Sequence, residues 1–182
     1  MSNYYKGKIL ISTPDLSGDI FSRSVVLIID HNEHGAFGLI LNKKIPFDLP
    51  QNSPLVELQI DIYEGGPVEK DKTFFIIKGE PVSEYYLPID PDHHLTEDIE
   101  GVLIQLIQNN LTLDQIKVFS GYSGWSKGQL EKEIENKFWT PVDIYNLDYT
   151  TSTDTNLWKK VMQNLGGEFL LWANSPEDIS MN

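Results

Sequence analysis

The apolar run Val25 to Ile29 within VVLIID, unsurpassed in length along the chain, is continuous and rich in β-branched residues, the pattern of a strand buried on both faces. Phe37 to Asn42 follows, with Phe37, Leu39 and Leu41 alternating with Gly38, Ile40 and Asn42. The intervening HNEHGA, in which Gly35 is free to take a positive φ, predicts a hairpin joining the two. Similar patterning predicts strands at Ile9–Ser12, Ile60–Tyr63, Phe74–Ile77, Ile116–Ser120 and from Phe138 across Val142. PFDLPQNSP, with prolines at 46, 50 and 54, predicts an irregular excursion between two of them.

From Asp98 the period changes. Ile99, Val102, Leu103, Leu106 and Ile107 form the stripe of an amphipathic helix, and Asp98 has the chemistry of its N-cap. A second helix is expected after Trp125 and through Asn136: Ser126 followed by Gln129 reads as a capping box, and Trp125 with Leu130 as a hydrophobic staple. Asp154 is expected to cap a last helix whose Leu157, Trp158, Val161, Met162 and Leu165 share one face, with Gly166-Gly167 ending it. Hairpins come first and helices later, so the class is α+β with a mainly antiparallel sheet. The chain reads as one domain over residues 1–182, and NSPEDISMN, from about residue 175, reads as a loose acidic tail.

Length agrees with that organisation, because a single core in a chain of 182 residues buries roughly 70% of the surface that the unfolded chain exposes. Charge narrows the partners. There are 27 acidic and 14 basic residues, a formal net charge of −13, and the only adjacent basic pairs are Lys43-Lys44 and Lys159-Lys160. Nucleic-acid binding relies on Lys and Arg to neutralise phosphates, so direct binding is disfavoured. With no cysteine, disulfides, thiolate metal sites and cysteine nucleophiles are excluded. No apolar run approaches the roughly 18 residues of a membrane span, and MSNYYKGKILIST lacks a secretory apolar region, so a cytoplasmic, membrane-free location is the expectation.

The stretch richest in unusual residues is SGYSGWSKGQL. Gly121-Tyr122-Ser123-Gly124-Trp125 invites comparison with the G-x-S-x-G nucleophile elbow, but the second glycine would have to stand at Trp125. All four histidines (31, 34, 93 and 94) also precede Ser123, which excludes the elbow's chain order. A hydrolase using Ser123 with an Asp, Glu or His base remains the alternative reading. Gly65 and Gly66 before Pro67 suit a sharp turn or a close approach of another backbone, and no phosphate-loop pattern occurs in the chain. His31 and His34 are expected on a solvated hairpin tip, and His93-His94 in a similar polar loop. Metal-ligand spacing on one helical face is lacking, so neither metal nor cofactor is expected. Arg23, just before the buried strand, reads as a charge at the sheet edge or as an anion contact.

Three segments taken together resemble the AlgH/YqgE family of bacterial proteins: Gly7 to Lys43, Tyr63 to Ile76 and Gly121 to Trp139, in matching order and spacing. The resemblance implies a single α+β domain with a small β-barrel-like sheet flanked by helices. It carries no catalytic residues, and one branch of the family bears the label of a transcriptional regulator of alginate synthesis. Here Lys43-Lys44 stands where the family usually shows Arg-Pro, and His34 where an acidic residue is common. The functional expectation is a non-enzymatic regulatory or binding module for a small molecule or protein partner, any regulatory role being indirect. Its candidate surface is Arg23, Ser24, Asn42, Gly65, Gly66, Pro67, Tyr122, Ser123 and Trp125, most of them residues that periodicity and capping leave available.

Overall fold

The computed structural model describes residues 4–14, 19–46, 53–144, 147–151 and 156–175. Its strands are β1 (Ile9–Ser12), β2 (Val25–Asn32), β3 (Gly35–Ile40), β4 (Ile62–Glu64), β5 (Val68–Lys78), β6 (Leu87–Pro88), β7 (His93–Thr96), β8 (Ile116–Ser126) and β9 (Trp139–Val142). The helices are α1 (Ile99–Ile107), α2 (Gln129–Glu135), α3 (Leu157–Leu165) and α4 (Phe169–Ala173). The strands form one curled sheet in the order β6-β7-β5-β8-β3-β2-β1-β9, antiparallel except where β4 runs parallel to β8. The α+β class is as expected.

β2 shows why a continuous apolar run was needed. Val25, Leu27 and Ile29 face one core with Trp158, Val161 and Met162 of α3, while Val26 and Ile28 face another with Trp125, Trp139 and Leu130 of α2. Each fully buried side chain of this kind contributes about 1.5–3 kcal/mol, so a polar substitution on either face is costly. The hairpin to β3 turns more tightly than the sequence suggested, through Glu33 and His34 alone, and a bulge at Ile29 shifts the register. A third core joins Phe75, Ile77 and Val118 to Val102 of α1. Asp98 caps α1 by accepting from the Gly101 N–H at 2.9 Å, but Ile107, expected in the stripe, is 79% exposed at the last turn.

Two elements start or stop elsewhere than expected. β8 does not end at Ser120 but continues to Ser126, so the glycine-rich stretch is strand and not loop. α2 begins at Gln129 with Gly128 at its N-cap, φ 72°, and no side-chain cap. Only half of the capping box forms: Gln129 Oε1 accepts from the Ser126 N–H at 3.0 Å, while the Ser126 hydroxyl also donates to Gln129 Oε1. The staple pair Trp125 and Leu130 is buried in one cluster as expected. Gly166 ends α3, after which a further short helix, α4, had no counterpart in the sequence reading. Asp154 and most of the tail lie outside the described residues.

Candidate functional site

The geometry of the site begins with a crossing. β4 lies on one edge of β8 and β5 on the other, so the chain passes over β8 in the single step Gly65–Gly66–Pro67. A side chain would not fit there. A Cβ on Gly65 would stand 2.3 Å from the Gly121 carbonyl oxygen, and one on Gly66 2.2 Å from the Tyr122 carbonyl. Gly121 answers from below, at φ 69°, where a Cβ would be 2.7 Å from the Gly66 carbonyl oxygen. Ser123 completes the joint: its fully buried hydroxyl donates to the Gly65 carbonyl at 3.0 Å. That hydroxyl is engaged in holding the crossing.

Beside the crossing lies a groove of about 880 Å³. One wall is the tip of the β2–β3 hairpin with Asp30, Asn32 and Phe37. The other is β5, β7 and the segment Tyr85–Leu87, and Tyr122, Gly124 and Trp125 of β8 run along it. Phe37, Phe74 and Tyr122 meet in pairs at ring separations of 5.0 to 5.9 Å and make an aromatic floor. Around the rim stand Asp30, Glu69, Glu97 and Asp98 against Lys72, which bridges Glu69 at 3.7 Å and Glu97 at 3.2 Å. The Lys72 ammonium is held above its ordinary pKa by its hydrogen bond with Glu97, and the Asp98 carboxyl below its own by the Gly101 N–H and Ser83.

The nine candidate residues divide. Tyr122 and Trp125 line the groove; Gly65, Gly66 and Ser123 form the crossing under it, and Pro67 is exposed where the chain joins β5. Arg23, Ser24 and Asn42 gather at the opposite end of β2 from the groove residues Asp30 and Asn32. There the Asn42 side-chain Oδ1 accepts from the Val25 N–H at 3.0 Å and its side-chain Nδ2 donates to the Arg23 backbone carbonyl at 2.9 Å. Arg23, at φ 50°, donates to the Ser175 carbonyl at 2.5 Å and stacks 5.0 Å over the Trp158 ring. The sequence singled out Tyr122 and Trp125 but missed Phe37, Phe74 and the Tyr85-Tyr86 pair. The pair was the legible signal, two adjacent aromatics that no helix or strand period explains.

Three histidines overturn the solvated reading. His31 is 4% exposed, accepts at Nδ1 from the Tyr5 N–H at 2.9 Å, stacks on the Tyr5 ring and faces Glu131 at 3.0 Å through Nε2. His93 and His94 belong to β7 and are buried, His93 between Asp90 and Asp148. Burial pushes the His94 ring below its ordinary pKa. Only His34 stays at the exposed tip. Sequence reasoning could not see the partners, because Glu131 and Asp148 are brought to them by the fold from far along the chain. Trp125 and Trp139 likewise share an unforeseen partner, both indoles donating to Glu133 Oε2 at 2.8 and 2.9 Å. A second, smaller cavity holds Lys117, whose ammonium donates to the Leu41 and Thr151 carbonyls and lies 4.1 Å from the Tyr63 ring; burial lowers its pKa to about 7, against the pull of Asp148.

The sequence pattern of the AlgH-like family matches residues 9–170, across the crossing, the groove and helices α1 to α3. The chain belongs to the AlgH-like family. It is similar to a UPF0301 protein of Cytophaga hutchinsonii, 36% identical over 181 residues that cover 97% of this chain and 98% of that one. A UPF0301 protein of Chlamydia muridarum is 34% identical over 97% of this chain and 95% of its own length. Among solved structures, the AlgH protein of Pseudomonas aeruginosa superposes with a TM-score of 0.75 at 24% identity, covering 97% of this chain and 96% of that one. A protein of Corynebacterium diphtheriae superposes with a TM-score of 0.72 at 24% identity, over 93% and 91%. At that identity the structures establish the fold of this AlgH-like chain and nothing of its ligands. No helix among its described residues is long and apolar enough to cross a membrane.

Proposed function

We propose that this AlgH-like chain is a non-catalytic binding module that acts through a small molecule or protein partner held in the groove, and that any effect on transcription is indirect. The observation that carries the reading is the groove itself: an aromatic floor of Phe37, Phe74 and Tyr122 with a polar rim, of a volume in the range of ligand sites, about 300–1,000 Å³. The residue types nearest to catalysis are occupied elsewhere. Ser123 is buried in the crossing, and Asp98 serves as a helix cap. Net charge of −13 argues against duplex DNA as the direct partner.

The test is a titration of intrinsic tryptophan fluorescence with a panel of metabolites and peptides, repeated on Tyr122→Ala. Saturable quenching or enhancement that weakens in the variant supports the reading. Turnover of an ester or amide panel that Ser123→Ala abolishes, in a variant shown to be folded, would replace it with a hydrolase. Retention of duplex DNA at low salt that fades steeply with added salt would replace it with direct DNA binding.

A further inference from the structure

The groove has a backbone edge as well as rings. In the antiparallel pair β3–β8, Trp125 sits opposite Ala36 and Gly124 opposite Phe37. The Trp125 carbonyl points toward β3, 2.2 Å from where a Cβ on Gly35 would stand. Successive residues of a strand direct their N–H and C=O groups to opposite edges, so those of Gly124 point the other way, into the groove. The Ser126 N–H, two residues on, agrees: it leaves the β3 side and bonds Gln129 Oε1 at 3.0 Å. On that side β5 pairs with β8 no further than Val68 opposite Tyr122, because the chain before Val68 turns into the crossing. Gly124 is exposed, and among the described residues no strand stands opposite it.

We propose that the groove takes an extended, basic and apolar segment of a partner protein, which adds to the edge of β8 at Gly124. The mode is strand addition, in which backbone hydrogen bonds give affinity and alternate side chains give specificity. Three features converge on it. Gly124 offers one N–H and one C=O with no side chain to keep a second backbone away. Opposite it, the Phe37 ring and its neighbours Tyr122 and Phe74 receive an apolar side chain of the incoming segment. The rim carries Asp30, Glu69, Glu97 and Asp98 against Lys72, so basic side chains pointing outward find carboxylates, and cationic groups over the rings gain further. Gln129 already occupies the next N–H, so the added pairing is short and most of the affinity comes from side chains.

This rests on the groove being the binding site, and the experiment separates the two claims. A fluorescein-labelled peptide of alternating lysine and valine is titrated by anisotropy, beside one with glutamate for lysine and one N-methylated at alternate residues. The titrations are repeated on Gly124→Pro, which removes the N–H that the fold leaves unused, and on Tyr122→Ala. The expected result is saturable binding of the basic peptide, weakened about tenfold or more by N-methylation and by Gly124→Pro, with the glutamate peptide weaker still. Equal binding of the N-methylated peptide, weakened by Tyr122→Ala, would overturn strand addition and leave the groove as the site. Absence of peptide binding would overturn the inference, and the metabolite titration then decides the groove by itself. If Gly124→Pro does not fold, the N-methylated peptide gives the answer on the unaltered chain.

Discussion

Two glycines stand three positions apart in β8 and do opposite things. Gly121 lies under the crossing of Gly65–Gly66, in a left-handed conformation, with a Cβ denied by the Gly66 and Val68 carbonyls at 2.7 and 2.9 Å. Gly124 has ordinary strand geometry, and a Cβ there would meet the edge of the Tyr122 ring at 3.3 Å and the end of the Val68 side chain at 4.0 Å. One glycine is required by backbone packed on backbone; the other leaves a space that the fold does not fill. The difference separates a closed position from an open one more sharply than composition can, since SGYSG presents both in one breath.

The comparison breaks first at the crossing. Gly66→Ala places a methyl group 2.2 Å from the Tyr122 carbonyl, and since both partners are backbone, neither can swing aside. The expected loss is about 4 kcal/mol or more, enough to prevent folding in many domains, read as insoluble expression or a collapsed urea midpoint. A Gly66→Ala protein of native stability would show that the strands do not cross as described. The next largest effect is at Asn42, which the sequence offered as a binding residue. Truncation to Ala leaves the Val25 N–H and the Arg23 carbonyl without their partner, a cost of about 2–3 kcal/mol. Groove binding by the folded fraction should be unchanged, because Asn42 lies at the far end of β2.

How much of this was legible follows from the range over which each signal acts. The two-faced strand Val25–Ile29, the Asp98 cap and the α1 stripe as far as Leu106 rest on local spacing, and the structure keeps them, Ile107 excepted. The Gly65-Gly66 pair announced a close approach without naming what approached, because the partner, Gly121, is supplied by topology. β8 was cut short at Ser120 since glycine is a poor strand former, and the propensity was overridden by pairing with β3. The buried histidines failed for the same reason in reverse. His31 looks polar until Glu131 and Tyr5 arrive from elsewhere. The groove was half legible: its β8 side was named, and its β5 and β7 side belongs to segments whose pairing the sequence does not show.

A milder test sharpens the contrast between built and open parts of the sheet. Asp148 fastens the segment 147–151 against β5 and β7, accepting from Lys78 at 2.6 Å, from the Thr150 N–H at 2.9 Å and from His93 at 3.3 Å. Burial pushes its carboxyl upward, but the hydrogen bonds from Lys78, Thr150 and His93 outweigh this and hold it well below the ordinary carboxylate range. A carboxyl with a folded pKa below its unfolded one stabilises the protein above the unfolded value, near 4, and that contribution is lost as pH falls toward the folded one. Urea midpoints followed from neutral pH down to about 3 should fall, and fall less steeply in Asp148→Asn. An unchanged slope would mean that the clasp carries no linked proton.

The smallest stability effect belongs to Gly124→Ala, and it is the one that decides the comparison. The added methyl group stands on a strand of ordinary geometry and crowds the Tyr122 ring edge, a flexible neighbour that can give way by the few tenths of an ångström required, while Val68 at 4.0 Å is in ordinary contact. Alanine also loses less backbone freedom on folding than glycine, which offsets part of any crowding. The urea midpoint should therefore shift by no more than about 0.5 kcal/mol equivalent, in contrast with the collapse at Gly66. The same methyl group stands on the strand position paired with Phe37, beside the Tyr122 ring where an incoming side chain would have to sit, so the alternating lysine–valine peptide should bind about tenfold more weakly while the fold is untouched. A variant that is substantially destabilised would place Gly124 with Gly121 as a packing residue. Unchanged peptide affinity in a stable variant would mean that ligands enter the groove away from β8.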